Sequence, residues 1–551
     1  MDLRLASRHI PFVLVVVGLA ASVVAYRTSG NWLVLVLFFG ALTAVGIADL
    51  LQPHSTLRRI YPLSGRLRYL LESIGPEFRQ YFIESDSDAV PFSREQRSVV
   101  YQRAKNTLDK RPFGTLRDVY APDYEWMSPS FAPVAAEGHD FRVHVGAATA
   151  QPYSASVFNI SAMSYGAISP NAIRALNEGA KRGRFYHDTG EGSVSPYHRE
   201  RGGDLVWNVG SGYFGCRDLE GRFNDERFAA SATLPQVKMI EIKLSQGAKP
   251  GHGGVLPGAK VTAEIAATRG VREGEDCISP AKHSAFSTPI ELIRFVDHLR
   301  RLSGGKPTGF KLAIGHPWEW FSIAKAMRET GITPDFIVVD GGEGGEGGTG
   351  AAPLEFVNHV GAPLRDGLML VHNTLVGIGV RDRIRIGAAG KITTAFDIAR
   401  TIAIGADWCN AARGYMFALG CIQSMSCHTD RCPTGIATQD PRRWRRLDVP
   451  DKAERVFNYH ENTLRALREL LSAAGLRDTS ELGPEHVIHR VSSTEVRSLG
   501  RLYPFLEPGQ LLSGALDDHR LAVFEMFWHE ARPDTFDAPA RVLALRASKL
   551  N

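Results

Sequence analysis

The chain has 551 residues, enough for one large domain with appendages or for two to three ordinary ones, and its 22% charged and 44% apolar residues are those of a globular protein. Its 64 Lys and Arg against 59 Asp and Glu leave a formal charge of +5, too small and too interspersed an excess to argue for nucleic acid as a partner. Its 54 Gly include short runs, GEGS, GHGG and GGEGGEGGTG, that suit tight ligand loops, and its six Cys are too sparse for a disulfide framework.

In chain order, two uncharged apolar runs come first, Ile10 to Tyr26 and Trp32 to Ala48, separated by RTSGN. Each is just long enough to cross a thin hydrocarbon core as a helix, which predicts a hairpin with both ends on one side of a membrane. Arg4, Arg8, Arg58, Arg59, Arg66 and Arg68 flank the pair, against Arg27 in the turn, so positive flanks predict a cytoplasmic body at the inner membrane. If the first run were a signal peptide, the second would stop transfer and leave the body on the same side. Residues 53–130 are Arg-rich and amphipathic, with LRYLLESI and EQRSVVYQRAKNTL as helices, and read as a membrane-side collar with no chemistry of its own.

From about residue 155 a rhythm sets in of short apolar run, Gly-rich or polar loop and helical pattern. The runs are VFNISAMS, RFYHDTGEG, LVWNVGSG, MIEIKLSQ, GFKLAIG, DFIVVDGG, IRIGAAG and ADWCNAARG, with helical stretches such as PIELIRFVDHLRRL, WFSIAKAMRETG and TTAFDIARTIAIG between them. Eight strands alternating with helices predict a (β/α)8 TIM barrel over 131–445, with its chemistry in the loops after the strands, followed by a helical extension over 446–551. GEGGEG, Gly342 to Gly347, fits the dinucleotide pattern but runs into GGTGAAPLEF without an immediate helix, which argues against a Rossmann unit.

Late loops of such barrels hold phosphate on backbone amides and a helix start. GAAGK, with Gly390 and Lys391, and NAARG, with Ala412 and Arg413, stand in those positions and suit flavin mononucleotide (FMN). The ring would lie against SAMSYG, where Ala162, Met163 and Ser164 form the floor, and Lys311 would point a cation at its electron-rich edge; a salt bridge inside the barrel is the plainer reading of that lysine. CIQSMSCHTDRCPTG then places Cys421, Cys427 and Cys432 within twelve positions. Short spacing and a Pro after the last Cys suit an iron–sulfur cluster, while Cys421, Cys427, His428 and Cys432 would equally supply zinc.

Three ordered motifs, KLSQGAKPGHGGVLPGAKVTAEIAATRG, DGGEGGEGGTGAAP and CIQSMSCHTDRCPTGIATQDP, resemble the synthase domain of glutamate synthases over about residues 155 to 445. The resemblance implies an FMN-binding barrel that makes glutamate from 2-oxoglutarate and ammonia, with Cys421, Cys427 and Cys432 holding a [3Fe–4S] cluster. It also implies that Lys243, Gln246 and Lys249 lie around flavin and substrate, that Glu191 and Arg269 lie near the bound oxo acid, and that Asp340, Gly341 and Gly342 help bind the cofactor. Two lysines and an arginine suit a dicarboxylate, and Glu191 with Lys249 would carry the catalytic proton traffic. The chain departs from the family's pattern at Val255, in place of Gln before LPG, and at Tyr213, in GYFG. The family's amidotransferase domain is not expected, so ammonia would come free or from a separate amidotransferase, with an electron-donor protein as a further partner. The competing functions are an electron-transfer subunit between a membrane carrier and another protein and, more weakly, an FMN-dependent isomerase or hydroxy-acid oxidase.

Overall fold

The computed structural model describes residues 9–52, 56–83, 91–135, 138–345, 351–514, 516 and 518–548. Arg4, Arg8 and the stretch 346–350 of the long glycine run lie outside them. The chain forms two compact units, Met1–Asp88 and Ala89–Asn551. Their boundary falls inside the segment 53–130 that composition reads as one collar.

In the first unit, helix α1 (Ile10–Ser29) ends on Gly30, whose φ of 70° supplies the left-handed cap that a chain reversal needs. Helix α2 (Leu33–Leu51) returns alongside it. Gly18 faces the Phe39 ring and Gly46 faces the Phe12 ring, so each glycine leaves room for an aromatic from the opposite helix. Both helices are long and apolar enough to cross a membrane. Asp49 near the end of α2 is buried and paired with Arg66, at 2.8 Å, on helix α3 (Ser64–Phe78).

The second unit opens with helix α4 (Arg94–Ala104), started by a Ser93–Gln96 capping box. A closed barrel of eight parallel strands follows: β1 (Phe158–Ile160), β2 (His187–Asp188), β3 (Leu205–Val209), β4 (Val237–Lys243), β5 (Thr308–Leu312), β6 (Phe336–Asp340), β7 (Arg385–Ala389) and β8 (Trp408–Ala411). β8 pairs with β1 through Cys409 and Phe158, Asn410 and Asn159, and Ala411 and Ile160, which closes the ring. Each strand overlaps one of the eight apolar runs, β4 and β5 starting two and one residues before theirs.

A hairpin of Arg142–Val145 with Tyr153–Ser156 precedes β1. Its Val145, Tyr153 and Ala155 pack with Phe336 and Trp408, from the starts of β6 and β8, in a second small core that plugs the end opposite the loops. Between β4 and β5 the chain makes a long excursion, with a short strand pair joining Val255 to Ile278 and Leu256 to Cys277. Outer helices α5 (Pro170–Gly183), α6 (Pro289–Leu302), α7 (Pro317–Thr330), α8 (Leu364–Gly377), α9 (Ala395–Ala403) and α10 (Arg413–Leu419) surround the strands. After the barrel, helix α11 (Val449–Ala473) packs against α5, α4 and α10. The extension is not purely helical, because Val487–Arg490 pairs on one side with Glu125–Met127 and on the other with Val496–Ser498.

Candidate active site

All eight strand ends contribute to one cavity at the loop end of the barrel. Ser161 to Ser164 follow β1, Gly190 and Glu191 follow β2, and Asn208 stands on β3. Lys243, Gln246 and Ala248 come from β4 and its loop, Lys311 from β5, and Asp340, Gly344 and Gly345 from β6. Ala389 to Ile392 follow β7, and Asn410 to Gly414 follow β8. The first wall is tight: a Cβ on Gly190, whose φ is +61°, would stand 2.6 Å from the Ser164 amide. The Ser161 amide donates to the carbonyl of Ala411 at 3.0 Å and ties the first loop to the last.

One end of the cavity is cationic. Arg413 begins α10, and it and Lys391 both line this wall. Arg413 is half-buried, donates to the Glu343 carbonyl at 3.1 Å and lies 4.7 Å over the ring of Phe92. Burial pushes its guanidinium down to about 10, against the pull of Asp340 and Glu343. Lys391 holds a left-handed φ of 50°, and burial and Arg413 lower its ammonium. Two cations thus stand together at this end, both lowered from their ordinary values.

The middle of the cavity is a charged floor. Lys311 Nζ lies 3.3 Å from Asp340 Oδ2, which also accepts the Gly247 amide at 2.9 Å. Below them, Asp188 accepts the Gly190 amide at 2.9 Å, and Asn208 donates to Glu241 Oε1 at 2.6 Å. Burial raises both carboxyls: Asp188 rises to about 6 although Lys311 and the Gly190 amide pull it down, and Glu241 rises further because Asp188 adds its repulsion. Burial alone would lower Lys311, but Asp340, Glu241 and Asp188 together raise it. Asn208 Oδ1 is buried with no partner among the described residues, although its residue lines the cavity.

The other end pairs Glu191 Oε2 with Lys243 Nζ at 3.1 Å, both nearly buried, with Ser279 donating to the same oxygen at 3.3 Å. Burial raises the Glu191 carboxyl, but Lys243, Arg269 and Lys249 outweigh it and hold it below the ordinary range. Gly254 and Gly210 close on this side chain, and a Cβ at either would press on it.

Of the residues singled out from sequence, Ala162, Met163, Ser164, Glu191, Lys243, Gln246, Lys311, Asp340, Gly390, Lys391, Ala412 and Arg413 line this cavity. Lys249 is buried beside it, within the electrostatic reach of Glu191. Gly341 and Gly342 spend their amides on Ala389 and Ala362. Arg269 lies behind the first loop: it donates to the Tyr165 carbonyl at 2.8 Å and Ser164 Oγ at 3.3 Å, touches Cys277 Sγ at 3.7 Å and stacks 5.2 Å over Phe214. Tyr213 is buried away from the cavity and hydrogen-bonds His283 at 3.0 Å; His283 in turn reaches the Lys243 carbonyl at 2.8 Å. Val255 stands in the excursion's strand pair. Phe92, Asn208, Asn410 and Met416 line the cavity without having been singled out, although Asn208 lay in the run LVWNVGSG and Asn410 in NAARG.

The cysteine segment follows α10. Gln423, Met425 and Asp430 all hold left-handed φ there, 56°, 52° and 61°, a concentration of backbone strain in non-glycine residues. Tyr101 of α4 clamps the Cys421 carbonyl at 2.5 Å. Burial raises the Cys421 and Cys427 thiols, to about 12 for Cys421, and each of these two also feels Cys432. Burial would raise Cys432 as well, but the Thr434 hydroxyl and the amides of Ala437, Thr434 and Ile436 lower it, which favours a thiolate there. Among the described residues no three His, Cys, Asp or Glu side chains converge as a single-ion site requires.

A family model described as a conserved region in glutamate synthase matches residues 128–477. The glutamate synthase large subunit-like protein YerD of Bacillus subtilis is 36% identical over 492 residues, which cover 82% of this chain and 93% of that protein. The archaeal glutamate synthase [NADPH] of Methanocaldococcus jannaschii is 37% identical over 324 residues; the match takes in 59% of this chain and about 60% of the archaeal protein's length. A flavocytochrome b2 variant of known structure overlays at a TM-score of 0.41 with 11% identity, covering 86% of this chain and 98% of its own, too distant to bear on function. With the matched region spanning the whole barrel and its cysteine segment, the chain belongs to the glutamate synthase family of oxidoreductases.

Proposed function

We propose that this chain binds FMN and a [3Fe–4S] cluster and reductively aminates an anionic oxo acid, with 2-oxoglutarate as the first candidate. The observation that carries the reading is the division of one cavity into a cationic end, at Lys391 and Arg413, and an end where Glu191 meets Lys243. When bound there, the flavin would supply hydride to an imine carbon, and the cluster would supply single electrons.

The chain's own residues would do the remaining work. Ala162 and Ser164 leave space for a flat ring, Asn208 Oδ1 offers it an acceptor, and Lys311 fixes positive charge beside it. Lys243 is the cation best placed to receive a substrate carboxylate, in exchange for Glu191. Glu191, held ionised, is a proton acceptor in this reading, and the lysines are the donors. Arg269 would act from behind, by fixing the Ser164 loop. The cysteine segment supports the cluster through three Cys within twelve positions and a Pro after the last. The apolar helices α1 and α2 would anchor the body at the cytoplasmic face of a membrane.

The test is anaerobic reoxidation of the photoreduced flavin by a panel of oxo acids with ammonia. Reoxidation by 2-oxoglutarate and ammonia, with glutamate formed, is the expected result. A flavin reoxidised only by protein or quinone acceptors would instead mark an electron-transfer subunit.

A further inference from the structure

A buried ammonium stands between the flavin cavity and the cysteine segment. Lys260 ends a single 3-10 turn, Gly258–Lys260, in the excursion between β4 and β5, and is wholly buried. Its Nζ donates to the carbonyls of Cys427 at 2.7 Å, Ala437 at 3.0 Å and Ala167 at 3.5 Å. An ammonium has three donors and no acceptor, so three carbonyls satisfy its charged form. The carbonyls belong to three separate pieces of the site. Cys427 is one of the clustered thiols, Ala437 gives its amide to Cys432, and Ala167 lines the cavity. Among the described residues, Asp430, Cys427 and Cys432 are titratable groups that face this charge. A neutral side chain of similar length would pack here without the cost of burying a cation, so the charge itself needs a use.

We propose that Lys260 is a positioning residue whose buried positive charge sets the reduction potential of the cluster on Cys421, Cys427 and Cys432, and whose three carbonyl bonds hold that cluster against the flavin cavity. The inference rests on the cluster reading given above. Thiolate ligation makes such a centre anionic, and gaining an electron makes it more so; a cation in a poorly screened interior therefore favours the reduced form. Removing the cation should lower the potential.

The experiment compares full-length, anaerobically purified wild type with Lys260→Gln, Lys260→Met and Lys260→Arg. Iron, sulfide and flavin content are measured first, then the cluster potential by EPR-monitored redox titration. The Gln and Met variants should shift the electron-sharing equilibrium about tenfold or more toward the oxidised cluster, about 59 mV for one electron. The Arg variant should stay close to wild type, and flavin content should hold in all. If the neutral variants lose the cluster and Arg keeps it, the charge is again the operative property. An unmoved potential in Gln and Met overturns the proposal, as does loss of the cluster from all three, which would mark a packing strut. Wild type without iron and sulfide would overturn the cluster reading itself, a result distinct from a cluster present at an unmoved potential.

Discussion

At the scale of single residues, Arg413 and Glu191 show how burial sharpens a test. Arg413 is a half-buried cation that donates to a backbone carbonyl and lies over a ring face. Arg413→Met should therefore leave the flavin-free protein at least as stable, while weakening FMN by a charge-assisted contact, ~1.5–3 kcal/mol or roughly ten- to a hundredfold. Fluorescence titration and melting curves with and without FMN read the two effects separately. Glu191 is depressed by its lysines, so its folded value lies below the unfolded one. Its stabilising contribution is present above about pH 4.5 and is lost as pH falls through the lowered folded value. Glu191→Gln leaves Lys243 buried without its countercharge, at a cost on the order of 3–5 kcal/mol. The stability gap to wild type should be flat between about pH 6 and 8 and close below about pH 4.5. A gap that widens in acid would contradict the assignment. Freed of Glu191, Lys243 should also give 2-oxoglutarate a larger thermal shift in the variant than in wild type.

At the scale of elements, the barrel was legible because parallel strands buried on both faces must be written as continuous apolar runs, and all eight such runs hold a strand. The loops were legible where Gly repeats mark close approach, as at Gly190 and Gly390. Phe92 was not, because a lone aromatic far upstream of β1 carries no period; it reaches the cavity only once α4 docks beside α10. The Asp188–Glu241 pair was hidden for a related reason, since each is a single charge in an apolar strand whose partner lies on another strand. The cysteine segment carries its own test. Cys427→Ser should abolish iron while leaving flavin bound, and Cys216→Ser, Cys277→Ser and Cys409→Ser should keep both, those three thiols being buried in separate parts of the fold. Tyr101→Phe removes the clamp on the Cys421 carbonyl, worth about 1 kcal/mol. Chelators should then strip iron several times faster at unchanged flavin content, measured by loss of cluster absorbance.

At the scale of the whole molecule, the division at Asp88 and Ala89 predicts that the second unit folds alone. A chain beginning at Ala89 should be soluble and bind FMN as tightly as the full-length protein, whereas full-length protein should sediment with membranes. Aggregation of the truncated chain, or loss of its flavin, would show that the first unit completes the body.

Barrel closure also imposes a schedule on synthesis. The last strand to join, β8, pairs with the first, β1, across roughly 250 residues of chain. At ~5–20 residues per second a ribosome needs roughly 12–50 s to cover that distance. Through that interval the nascent β1 has an open edge, and the Ala412–Arg413 corner does not yet exist. Flavin loading is therefore confined to the final stage of translation or later, on a chain whose apolar hairpin emerged first and whose half-built sheet must meanwhile be kept from pairing with its neighbours.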